Sequence, residues 1–95
     1  MTVKIVMARQ VLDGGMDAVM DLIALMRREA SHQPGFIVGE TLRPLPNSRQ
    51  VLVITSWQTI ENWNVWFDHP VRSKLQKEMD FYLAGRTEYT IYRDP

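Results

Sequence analysis

The stretch Gln50-Val51-Leu52-Val53-Ile54-Thr55-Ser56-Trp57 is a β-rich run in which both alternating sets of side chains are apolar. Val51 and Val53 point one way and Leu52 and Ile54 the other, because successive side chains of a strand face opposite sides of the sheet. An antiparallel sheet with one face in water alternates apolar with polar, so this strand is expected to be covered on both faces. The run Val3 to Leu12 behaves alike, splitting Val3, Ile5 and Met7 from Val6 and Ala8. Helices cover one side of such a sheet. A second copy of the chain is the economical cover for the other, since twofold homodimers are the commonest closed oligomers.

Outward from these strands the pattern changes period. Met16, Val19, Met20, Ile23, Met26 and Ala30 recur at three- and four-residue spacing, which predicts an amphipathic helix after the Asp13-Gly14-Gly15 break. Asp17, Asp21, Arg27 and Arg28 fall mainly on the other side, acids early and bases late, and His32-Gln33-Pro34-Gly35 ends the helix. Phe36 to Arg43 reads as a strand, joined through Pro44-Leu45-Pro46-Asn47-Ser48 to Gln50 to Trp57 as a hairpin. Thr59 caps a short helix, Asp68 and His69 form a hinge, and Pro70 starts a second piece whose stripe is Val71, Leu75, Met79 and Tyr82. Gly85 stops it and Glu88 to Arg93 is a last strand. The order closes into an α+β, ferredoxin-like sandwich with a four-stranded antiparallel sheet and helices on one face, one domain over residues 1–95.

Eleven basic residues balance eleven acidic ones along the chain, which argues against nucleic acid as a partner. With no cysteine there is no disulfide, thiolate nucleophile or thiolate metal site, and a cytoplasmic location is expected. The opening residues read as a strand rather than a signal peptide, and the most apolar helix is interrupted by Asp17 and Asp21, so no membrane span is expected.

All three tryptophans, Trp57, Trp63 and Trp66, fall in one segment where strand gives way to helix. Indoles are large and their N–H needs a partner when buried, so such a cluster is either a heavy core or the wall of an aromatic ligand pocket. Phe67 belongs to the same wall and Lys77 to its polar rim. His69, beside the tryptophan pair, is the candidate for proton transfer, with a turn residue before proline as the bland alternative. His32 lies in a loop, and the two histidines are too far apart for a zinc site. Arg43, Arg72, Lys77 and Arg86 either bind an anionic substrate or pair with Glu40, Glu61, Glu78 and Glu88, and surface pairing or solvation is the expectation for each.

On the opening strand, on His32-Gln33-Pro34-Gly35-Phe36, on Ser56-Trp57 followed by Trp63 and Trp66, and on Pro70, the chain resembles the antibiotic biosynthesis monooxygenase (ABM) family. That resemblance implies a dimeric α/β barrel and a range of chemistries: cofactor-free oxidation of polyphenols, anthrones or quinols, haem degradation, or breakdown of a bacterial signal molecule. Haem-degrading members carry a tryptophan matching Trp66, but their iron-ligand histidine falls on Gln76 here and their first-strand asparagine on Ala8. In the polyketide-oxidising members the pocket tryptophan matches Trp57, while Trp63 replaces a tyrosine, Val53 an asparagine, and Gln76 or Lys77 stands near an arginine. The expectation is a cofactor-independent monooxygenase acting on a small aromatic, polyphenol or quinol substrate against Trp57, Trp63, Trp66, Phe67 and Lys77, with no cofactor. A non-catalytic small-ligand binding or dimerisation module is the alternative.

Overall fold

The computed structural model describes residues 2–95. Its elements run β1 (Val3–Gln10), α1 (Met16–Ala30), β2 (Phe36–Leu42), β3 (Gln50–Trp57), α2 (Ile60–Phe67), α3 (Pro70–Asp80) and β4 (Glu88–Arg93). The four strands form one sheet in the order β2-β3-β1-β4, with every neighbouring pair antiparallel. This is the ferredoxin-like α+β fold that the strand and helix periods predict. The two strands with apolar residues on both faces, β1 and β3, are the central ones.

Two boundaries differ from expectation. β1 ends at Gln10 rather than Leu12, because Val11 leaves the ladder to form an isolated bridge with Leu83. β2 ends at Leu42 and carries an irregularity between Phe36 and Val38, which puts Val38, Glu40 and Leu42 on the side away from the helices.

Burial separates the two faces. Val3, Ile5, Met7, Val51, Val53 and Trp57 are buried under the helices, joined there by Val19, Ile23 and Met26 of α1 and Met79 of α3. On the opposite face Val6 pairs with Ile54 and Ala8 with Leu52, flanked by the exposed Val38, Leu42 and Tyr92. No described helix is long and apolar enough to cross a membrane.

The turn ending α1 is pinned by Gly35, whose φ of +84° suits glycine. A Cβ there would lie 2.3 Å from the side chain of Asn62. The Gly35 carbonyl accepts from Gln58 N–H at 2.8 Å, so the start of β2 is tied to the strand-to-helix corner after Trp57. Thr59 caps α2, its hydroxyl accepting from Asn62 N–H at 3.1 Å.

The inward side of α3 keeps the expected Leu75 and Met79 but takes Arg72 in place of Val71, and Tyr82 lies beyond the end of the helix. Its buried side chains are Arg72 and Met79, in line with the half-buried Leu75 and Gln76, whereas Val71 and Tyr82 are exposed. An arginine on the inward face has a physical explanation in the aromatic end of the core.

Candidate functional site

The space between sheet and helices has two halves. In one, Trp57 and Trp63 pack edge to face at 6.0 Å between ring centroids, Phe36 meets Trp57 at 5.3 Å, and Phe67 meets Tyr89 at 5.3 Å. Trp57 is fully buried, and its Nε1–H donates to Thr55 Oγ1 at 3.0 Å, so the strand itself satisfies the indole. Arg72 extends into this cluster, its guanidinium 4.5 Å from the Phe67 centroid and 5.2 Å from that of Tyr89. Cation–π attraction and a donation to the Tyr89 hydroxyl give a buried cation partial compensation there.

In the other half lies a cavity of about 30 Å³. Its apolar walls are Met7, Ile23, Met26, Ala30 and Val53, and Trp66 closes one side. Its polar lining is Thr55 with three arginines, Arg9, Arg27 and Arg72. Each arginine comes from a different element: Arg9 from β1, Arg27 from α1 and Arg72 from α3.

Among the described residues none of these guanidinium groups has a carboxylate within 4 Å, and Asp80 supports the charge of Arg9 only from farther off. Among the described residues the one ion pair joins Arg49 to Asp13 at 3.9 Å, on the surface. Arg9, 2% exposed, donates to Gln76 Oε1 at 2.9 Å, and its Nε is buried without a partner. Arg27 donates to Thr41 Oγ1, and its Nε is also buried and unpartnered. Burial pushes the Arg9 guanidinium down to about 10, still well above neutrality, so it remains charged. Taking an unpaired ion out of water costs several kcal/mol.

The site depends on small details of the scaffold. Gly39 on β2 lies against Arg27, and a Cβ there would meet Arg27 Nε at 3.0 Å. Gln76 holds Arg9 from behind, while its amide donates to Asp80 Oδ1 at 2.8 Å and Thr87 Oγ1 at 3.1 Å. Thus the residue standing where the resemblance puts a haem-ligating histidine is a tether for Arg9.

The anticipated site residues divide unequally. Trp66 lines the cavity, whereas Trp57, Trp63 and Phe67 belong to the aromatic half and do not. Lys77 is exposed and lines no part of the cavity. His69 caps α3, its Nδ1 accepting from Val71 N–H at 3.1 Å, with its ring 5.5 Å from that of Trp66 and outside the cavity lining. Arg72 is buried, not on the surface, because the aromatic cluster receives it.

Arg27, expected on the polar side of α1, is half-buried and lines the cavity with Arg9, and the sequence holds a signal for both. Arg9 is in phase with Val3, Ile5, Met7 and Val11 on the buried side of its strand. Arg27 is in phase with Ile23, Met26 and Ala30 on the helix stripe. A cation in an apolar phase is the informative pattern.

Residues 2–78 match the model of the antibiotic biosynthesis monooxygenase family. The chain belongs to that family. Among solved structures it is similar to a conserved protein from Methanosarcina mazei Go1, with 18% identity, a TM-score of 0.92 and coverage of 99% of this chain and 93% of that one. It is similar also to SnoaB, a cofactor-independent oxygenase from Streptomyces nogalater, at 16% identity, TM-score 0.89 and coverage of 99% and 93%. Rv0793 from Mycobacterium tuberculosis matches at 8% identity, TM-score 0.89 and coverage of 100% and 96%. At these identities the likeness shows the fold alone. Among curated proteins none matches the chain by sequence.

Proposed function

We propose that this chain is a cytoplasmic, cofactor-independent monooxygenase of the ABM type, taking a small aromatic or quinol substrate into the cavity between sheet and helices. The observation that carries this reading is the convergence of Arg9, Arg27 and Arg72 on a cavity walled by Trp66. An electron-rich substrate that has lost a proton can itself reduce dioxygen, leaving the protein to bind, orient and stabilise the anion. For a ring CH₂ oxidised to a carbonyl, one oxygen atom enters the substrate. The other leaves as water with the two hydrogens lost from that carbon. Cationic side chains around a buried substrate hydroxyl lower its pKa and so reduce the base strength required.

The cavity volume, about 30 Å³, is close to one water molecule's share of the liquid. A ring therefore enters with movement of the walls, for which the unbranched Met7 and Met26 are suited. His69 is the proton-transfer candidate: with Nδ1 accepting from Val71 N–H the neutral ring carries its proton on Nε2, so it takes a substrate proton at Nδ1 only when the cap opens. A homodimer formed through the apolar sheet face around Val6, Leu52 and Ile54 supplies the second cover for β1 and β3.

Oxygen uptake with a panel of anthrones, hydroquinones and catechols tests the activity. Uptake by the wild type that falls in Trp66→Phe supports it, and a further fall in His69→Ala supports the proton-transfer role. The second reading, a non-catalytic ligand-binding module, is favoured by the packing of Trp57 and Trp63 into solid core. Binding of panel compounds without oxygen consumption would establish that alternative. Light scattering that finds a monomer at micromolar concentration would remove the dimer.

A further inference from the structure

We propose that the cavity between β1, α1 and α3 is a carboxylate-recognition site, so that the ligand of this protein is a small planar aromatic acid bound in its ionised form. This deepens the proposed function and rests on the same cavity being the ligand site. Arg9 and Arg27 line one small space together with Arg72, whose guanidinium is stacked on Phe67 and Tyr89, and among the described residues no carboxylate lies within 4 Å of any of them, Asp80 acting on Arg9 only from farther off. The Nε–H groups of Arg9 and Arg27 are buried and unpartnered. They stand on different elements, so they approach the cavity from separate directions.

Acceptor chemistry distinguishes the anion. A neutral hydroxyl offers two lone pairs, whereas a carboxylate offers about four acceptor sites on two oxygens, suited to more than one guanidinium. At about 30 Å³ the cavity is too small as it stands for a carboxylate's three heavy atoms, so the acid group, like the ring, enters as Met7 and Met26 move. A tetrahedral phosphate would turn oxygens toward Met7, Ile23, Met26 and Val53, which offer it no N–H or O–H donor. Those walls and the Trp66 indole suit instead an apolar ring attached to the acid.

The test is calorimetric titration of the full chain with benzoate, with benzamide as its neutral planar isostere, and with inorganic phosphate. Benzoate is expected to bind and to raise the thermal unfolding midpoint. Benzamide and phosphate are expected to bind more weakly by about thirtyfold or more, and Arg27→Met to weaken benzoate by a similar factor. Arg27 is half-buried and its guanidinium bonds to Thr41 on the edge strand β2; if circular dichroism shows that variant misfolded, Gly39→Ala, whose Cβ would meet the same side chain, takes its place. Equal affinity for benzoate and benzamide, phosphate binding as tightly as benzoate, or full benzoate affinity in the Arg27 or Gly39 variant would each overturn the carboxylate assignment while leaving the cavity as a ligand site. Failure of both benzoate and benzamide to bind would overturn the assignment and the cavity reading together.

Discussion

The aromatic half and the arginine half of the interlayer are built from the same sheet and the same helices, yet they are finished in opposite ways. Around Trp57 every large side chain meets another ring, the buried indole N–H has a partner in Thr55, and the one intruding cation, Arg72, is stacked on aromatic faces. Around Arg9 and Arg27 the walls are apolar, two buried Nε–H groups lack partners, and a cavity remains. One half contributes stability. The other leaves polar groups unpaired, the pattern expected where local rules are broken at a functional site.

The contrast is broken most forcefully at Trp57. Trp57→Ala should destabilise the fold by about 3 to 5 kcal/mol, because it leaves a cavity beneath Phe36 and Trp63 and deprives Thr55 of its donor. Denaturant unfolding monitored by circular dichroism measures this. A loss under 1 kcal/mol would mean that the aromatic half is not the stable one.

The opposite sign is expected across the interlayer. Arg9→Met exchanges a buried, incompletely paired cation for an apolar chain of similar reach, and stability should rise by about 1 kcal/mol or more while benzoate affinity is lost. The same denaturation experiment reads the first effect and calorimetry the second. A strongly destabilised Arg9→Met would make the guanidinium a structural member held by Gln76.

The smallest effect sharpens the comparison most. Gly39→Ala adds a methyl group 3.0 Å from Arg27 Nε, at a position where the backbone φ is compatible with alanine. The flexible arginine should move aside, leaving stability within about 0.5 kcal/mol of wild type. Benzoate affinity should nonetheless fall, because the displaced donor no longer faces the cavity. Unchanged affinity would remove Arg27 from the site.

Period and punctuation determined the fold of this protein from sequence alone. The double-sided strands β1 and β3, the α1 stripe, the Thr59 cap and the glycine at Gly35 each act locally, through side-chain alternation, helical spacing or backbone conformation. The aromatic segment likewise announced that something heavy sits beside the strand-to-helix corner. Only the tertiary structure decided what each residue does there. Trp57, Trp63 and Trp66 look alike in sequence, but strand register sends Trp57 under Phe36, and the turn of α2 sends Trp63 to the ring cluster and Trp66 to the cavity. Arg9, Arg27 and Arg72 are far apart along the chain, and the apolar phase of Arg9 and of Arg27 marks each singly but not their meeting. Their convergence arises from β1 lying centrally under α1 and α3, a nonlocal packing that no local pattern records.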